Sequence, residues 1–221
     1  MIMATRPKIS EAATLERYRV ALENVEAQTE IATIMAEFGY DSALIEEGKN
    51  LFNKTRQAYD FNTQEDDETS EAYSIFSEKR EQLADTYSLH RKKAKVIFKN
   101  DQQILERLAL TGSLTSAYVS WLETVKKFYK EVLKQEDLQT KLSRLKITVE
   151  ELNATNTLID ELEAARAEYL KEKGESQDAT EAKDTAFAEL DDWMSEFYAV
   201  AKIAMEDNIQ LLEALGVIVR N

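Results

Sequence analysis

The chain has 221 residues, one proline, five glycines, no cysteine and a formal charge of −14, with 32% of its residues charged. This composition suits long helices rather than a β-rich fold and excludes disulfides, thiolate metal sites and a cysteine nucleophile. It also opposes binding to nucleic acid or to an anionic membrane surface, since either needs a sizeable basic face. No run approaches the roughly 18 apolar residues of a spanning helix. The stretch from Met1 to Lys8 carries no apolar leader, so the expectation is a cytoplasmic protein that engages neither membrane nor nucleic acid.

Residues 1–9 read as a loose arm. Ser10 is a helix cap with Glu11 in the first turn. From there Leu15, Tyr18, Leu22, Val25, Thr29, Ala32 and Met35 recur at the spacing of one helix face. Gly39 then supplies a left-handed stop. This predicts helix A over residues 11–38. Asp41 caps the next element, which carries Ile45, Gly48, Phe52, Thr55 and Tyr59. A polar waist follows from Asn62 to Ser70, and apolar positions resume at Tyr73, Phe76, Leu83, Tyr87, Ala94, Ile97 and Phe98. One helix of nearly 60 residues fits this pattern, and so does a hairpin near 63–68. The hairpin is preferred, because a helix that long leaves its ends without partners and Asp/Glu/Thr/Ser clusters suit a new helix start. It gives helix B over 42–61 and helix C over 69–98. Asn100-Asp101 then opens a short helix D, ended by Thr111-Gly112-Ser113.

The plan recurs. Shifted so that Leu83 falls on Leu190, a displacement of 107 residues, the segment Leu83–Leu108 aligns with Leu190–Leu215 without a gap and with nine identities, among them Asp85/Asp192, Ala94/Ala201 and Gln103/Gln210. Leu122-Glu123 takes the place of Leu15-Glu16. Thr148, with Glu151, forms a capping box where Asp41 stood. A second polar waist, Lys171–Asp178, contains Gly174, a poor helix-interior residue that supports the hairpin. Phe187, Leu190, Met194, Phe197, Ala201 and Met205 read as a second helix C. Leu211, Leu212 and Leu215 read as a second helix D, closed by Gly216. The predicted fold is all-α, an antiparallel helical bundle of two tandem copies with a period of about 107 residues, related by a pseudo-twofold. The copies span 10–112 and 113–217 and pack as one globular unit, with a tail at 218–221.

Candidate chemistry is sparse. His90, the single histidine, lacks the neighbours of a di-iron or zinc site and reads as a packed or surface ring at a half-buried site; its counterpart is Phe197. Glu46, Glu47, Glu150, Glu151, Asp191 and Asp192 fall opposite the apolar stripes and read as solvated charge. The cluster Arg91, Lys92, Lys93, Lys95 and Lys99 reads as compensation of a helix C-terminus rather than an anion patch. The second helix C is apolar nearly all round, from Trp193 to Ala204, which marks it as central or as a partner face. Trp121 and Trp193 stand where the first half has Thr14 and Thr86, as if the two bulky sites met. Tyr59, Tyr73 and Tyr87 form a stripe at 14-residue spacing, read as core with wet hydroxyls. No catalytic, cofactor-binding or metal-ligating residue is assigned.

The function expected is a non-enzymatic interaction or structural module with a protein partner or a second copy. The alternative is a bundle holding an apolar small molecule near Trp121, Trp193 and Phe197.

Overall fold

The computed structural model describes residues 9–217, and every regular element among them is an α-helix. In chain order these are α1 (Glu11–Ala27), α2 (Thr29–Glu37), α3 (Ser42–Ile97), α4 (Gln102–Arg107), α5 (Tyr118–Leu133), α6 (Glu136–Ser143), α7 (Val149–Ala204) and α8 (Leu211–Ala214). All of the expected arm at 1–9 except Ile9, and the tail at 218–221, lie outside the described residues.

The starts follow local chemistry. Ser10 Oγ accepts from the Ala13 N–H at 3.3 Å. Asp41 Oδ1 accepts from Ala43 and Leu44 at 3.0 Å each, and Asp101 Oδ1 from Ile104 at 3.0 Å. At α7, Thr148 Oγ1 accepts from the Glu151 N–H and Glu151 Oε2 accepts from the Thr148 N–H, both at 3.2 Å, a complete capping box.

The stops share one geometry. Gly39, Ala109, Lys146 and Gly216 have positive φ of 91°, 51°, 57° and 73°. At each, the N–H of the following residue reaches back five positions: Tyr40 to Met35, Leu110 to Leu105, Ile147 to Leu142 and Val217 to Leu212. This is the Schellman closure of a helix end. Two of the four left-handed residues carry a side chain, so sequence inspection for glycine finds only the other two.

Two expectations are corrected. The hairpins at the polar waists do not form: α3 and α7 are each continuous over 56 residues. Gly174 is an interior residue of α7, with open space where a Cβ would stand. The argument against a long helix assumed unpartnered ends, and near both ends each helix has core residues: Ile45 and Ala94 in α3, Leu152 and Ala201 in α7. Conversely, helix A is not continuous. Gln28 is extended (φ −102°, ψ 101°) and separates α1 from α2. Gln135 does the same between α5 and α6 (φ −133°, ψ 104°).

By contact the chain divides into a terminal unit, which takes the chain up to Asp66 and from Glu175 onward, and a middle unit, Asp67–Gly174. In the terminal unit the stretches of α3 and α7 run antiparallel. Lys54 pairs with Glu189 (2.6 Å), Thr55 Oγ1 donates to the Ala186 carbonyl (3.0 Å) and Ser176 Oγ bonds Asp66 (2.7 Å). Its core joins Leu15, Leu22 and Val25 of α1 with Leu190, Phe197 and Ala201 of α7. In the middle unit Lys79 of α3 pairs with Glu161 of α7 at 2.7 Å. Val125, Phe128 and Val132 of α5 share its core with Leu83, Tyr87 and Ala94 of α3. Each core therefore closes a helix A of one half of the chain on a helix C of the other.

The left-handed side chains set a test. Replacing Ala109 or Lys146 with glycine relieves the αL penalty, less the entropy glycine adds to the unfolded chain. Each is expected to stabilise the protein by roughly 0.5–1 kcal/mol, and Gly39→Ala to destabilise it by a similar amount. Urea midpoints at unchanged slope measure this; a fall in midpoint for the glycine variants contradicts the assignment.

Candidate functional site

The single histidine is placed by α3 in the middle unit. His90 is 4% exposed, and its Nδ1 lies 2.9 Å from the Tyr129 hydroxyl of α5. Thr155 of α7 donates its hydroxyl proton to the Glu151 carbonyl at 2.7 Å. Burial holds the His90 pKa below its ordinary 6.5, against the opposing charge of Glu151, and burial raises that of Tyr129.

Beside this network lies an open groove of about 490 Å³, lined by Gln82, Thr86, His90, Glu151, Thr155 and Leu158 among others. The positions offset by 107 residues lie in the terminal unit, and there the space is filled. Trp193 stands at the offset of Thr86, stacks on Phe197 (5.5 Å, 12° between planes) and meets Tyr40 edge-on at 5.7 Å. Its indole covers Gly48 so closely that a Cβ there would lie 2.6 Å from Cζ2. Gly48 is thus the floor of an indole site, and the offset residue in the groove is Thr155.

A second contrast lies along the junction of α3, α5 and α7 in the middle unit. Tyr73 and Tyr169 have ring centroids 5.3 Å apart. Phe76 stacks on Tyr169 at 6.0 Å and 3° and meets Tyr118 at 5.5 Å. Tyr118 continues to Trp121 at 6.2 Å, and the Arg166 guanidinium lies 3.9 Å over the Tyr118 ring. Tyr73, Val119 and Leu170 are exposed by 52%, 63% and 51%. Shallow grooves flank the strip. One holds Tyr118, Val119 and Leu170, and another sets Ala72, Ile75 and Ala165 among four glutamates. The offset positions in the terminal unit are polar: Asn62 Nδ2 donates to Thr180 at 3.0 Å where the middle unit has Tyr169 and Tyr73. Lys183 pairs with Glu11 at 2.9 Å where it has Phe76 and Tyr118.

The other sequence candidates disperse. Glu46, Glu47, Glu150, Glu151, Asp191 and Asp192 are exposed; Asp191 accepts from Tyr18 at 2.7 Å, which with burial pushes that phenol up to about 12. Arg91 leaves the basic cluster: it is 9% exposed, and its Nη2 reaches the carbonyls of Leu110 and Gly112 at 3.2 and 3.0 Å, clasping the chain after α4. Tyr59, Tyr73 and Tyr87 do not form one stripe, being half-buried, exposed and fully buried. Of the two tryptophans, Trp121 belongs to the middle unit and Trp193 to the terminal one. The apolar turn of α7 is central in the terminal unit, with Met194, Phe197 and Ala201 buried and Ile203 exposed by 62%.

Sequence reading missed the aromatic strip. Its signal was available only by pairing helix C of one half with helix B of the other.

His90 sets a pH test. Its folded pKa is lowered, so the unfolded chain binds more protons in the interval below 6.5. Its contribution to stability is therefore full above 6.5 and declines as pH falls through that interval. His90→Phe, the residue used at the offset position, is expected to flatten the stability-against-pH curve just below 6.5, as read by urea midpoints. An unchanged slope refutes the burial argument.

No family model, no curated protein and no solved structure matches this chain.

Proposed function

We propose that the protein is a non-enzymatic interaction module made of two tandem copies of one helical unit, and that it binds a basic protein partner through the aromatic strip of the middle unit. The observation that carries this is the chemistry of the strip. The terminal unit meets the same packing demand with Asn62–Thr180 and Lys183–Glu11. The fold does not require aromatic rings there, yet the middle unit displays Tyr73, Phe76, Tyr118 and Tyr169 beside exposed Leu170 and Val119. Apolar surface in excess of what folding needs marks a contact face, and half-exposed tyrosines are the residues interfaces favour. The −14 charge of the chain, with Glu71 at the neighbouring groove, favours a partner rich in Lys and Arg and opposes a second copy.

Several features support the duplication. α5, α6 and α7 start 107 residues after α1, α2 and α3. The extended breaks fall at Gln28 and Gln135. The left-handed stops fall at Gly39/Lys146 and Ala109/Gly216. Buried residues coincide at Leu22/Tyr129, Ile45/Leu152, Tyr87/Met194 and Ala94/Ala201.

Native mass spectrometry of the protein from its source cells tests the reading, beside the variant Tyr73→Thr, Phe76→Lys, Tyr118→Glu and Tyr169→Asn, which copies the terminal unit. A stoichiometric basic protein is expected on the parent and absent from the variant, with the melting midpoint held within about 5 °C. A partner retained by the variant removes the strip from the interface. A homodimer, or a monomer carrying only a small molecule, overturns the proposed partner.

A further inference from the structure

The indole of Trp193 in the terminal unit is built into a complete site: face against Phe197, edge against Tyr40, and Gly48 without a side chain beneath it. The middle unit keeps the walls and omits the occupant. Thr86 replaces the tryptophan, His90 the stacking ring and Ile147 the edge-on ring. Both His90 and Ile147 are buried, and the space that remains is the groove of about 490 Å³. A drug-sized pocket occupies about 300–1,000 Å³ and combines apolar walls with a few polar groups. Here Leu158 and the His90 ring supply the first, and Gln82, Thr86 and Glu151 the second.

We propose that this groove binds a small planar aromatic amine, its ring lying on the His90 imidazole as Trp193 lies on Phe197, and its cationic group beside Glu151. The hydrogen bond between His90 Nδ1 and the Tyr129 hydroxyl fixes the imidazole, so the stacking surface is preorganised and little rotamer entropy is lost on binding. The imidazole is neutral above its lowered pKa and does not repel a cation. Of the two carboxylates at the groove, Glu161 is already paired with Lys79 at 2.7 Å. Glu151, whose Oε2 also accepts from the Thr148 N–H, is the carboxylate left to meet the cationic group, and an anionic aromatic placed beside it is disfavoured.

This inference rests on the reading that the two units are copies, and the test separates the two. Tryptamine and indole-3-acetate are titrated into the full chain by ligand-observed NMR, beside Thr86→Trp and the double variant Thr86→Trp, Thr155→Gly, which installs the occupant and floor of the terminal unit. Tryptamine is expected to bind the parent, indole-3-acetate at least tenfold more weakly, and both tryptophan variants to lose at least tenfold in tryptamine affinity. A parent that does not bind tryptamine, a variant that binds it as well, or an equal affinity for the anion overturns the proposal. In the double variant, 5-fluorotryptophan labelling reports the new side chain separately by 19F NMR. A water-shielded third resonance supports the equivalence of the units whatever the ligand does. A water-exposed one overturns the equivalence and the proposal with it.

Discussion

Leu22 and Val25 share a core with Phe197 and Met205, and Tyr129 and Val132 share another with Tyr87 and Phe98. Each core is thus closed by side chains from both halves of the chain, and the other features answer to that sharing. A half by itself holds a helix A with no helix C to receive it. Burying a large apolar side chain is worth about 1.5–3 kcal/mol, so neither half retains the burial that offsets its ordering entropy. The unbroken 56-residue helices follow as well. One end of α3 serves the terminal core through Ile45, and its other end serves the middle core through Leu83 and Tyr87. A hairpin near residue 65 would return that second end to the first core, where α7 already stands.

The sharing also explains which parts of the fold were legible in sequence. Caps were, because Ser10, Asp41, Asp101 and Thr148 act within three residues of themselves. The glycine stops at Gly39 and Gly216 were, for the same reason. The stops at Ala109 and Lys146 were not, since their left-handed backbone is imposed by the Schellman hydrogen bonds and not by residue type. The break at Gln28 has no local signature either: no glycine or proline lies between Leu15 and Phe38. The polar waists misled because apolar periodicity reports burial and not continuity. With small Ala72 and Ala179 and polar Asn62, Glu65 and Glu172 buried near the middle of α3 and α7, a helix can run through a stretch that reads as a loop.

The candidate sites were less legible than the fold. His90 was read as a packed or surface ring, and its bonding partner is 39 residues away on another helix. The aromatic strip and the open groove cannot be seen along one segment at all, since each is made by helices from both halves. The informative comparison is of pairs within each unit: Tyr73 and Tyr169 against Thr180 and Asn62, Phe76 and Tyr118 against Lys183 and Glu11.

That comparison separates what folding demands from what it leaves free. At Asn62–Thr180 and Lys183–Glu11 the terminal unit holds its helices with a hydrogen bond and an ion pair, each worth about 1 kcal/mol or less at such partly exposed positions. The middle unit uses aromatic pairs worth about 0.5–1.5 kcal/mol beyond their burial. The two solutions are close enough in energy that stability does not select between them, and the aromatic one leaves apolar surface in water. The reverse exchange occurs at the groove, where the terminal unit spends an indole on its core and the middle unit keeps threonine, histidine and open space. Both departures fall in the middle unit, and each removes something the other unit shows to be sufficient for packing.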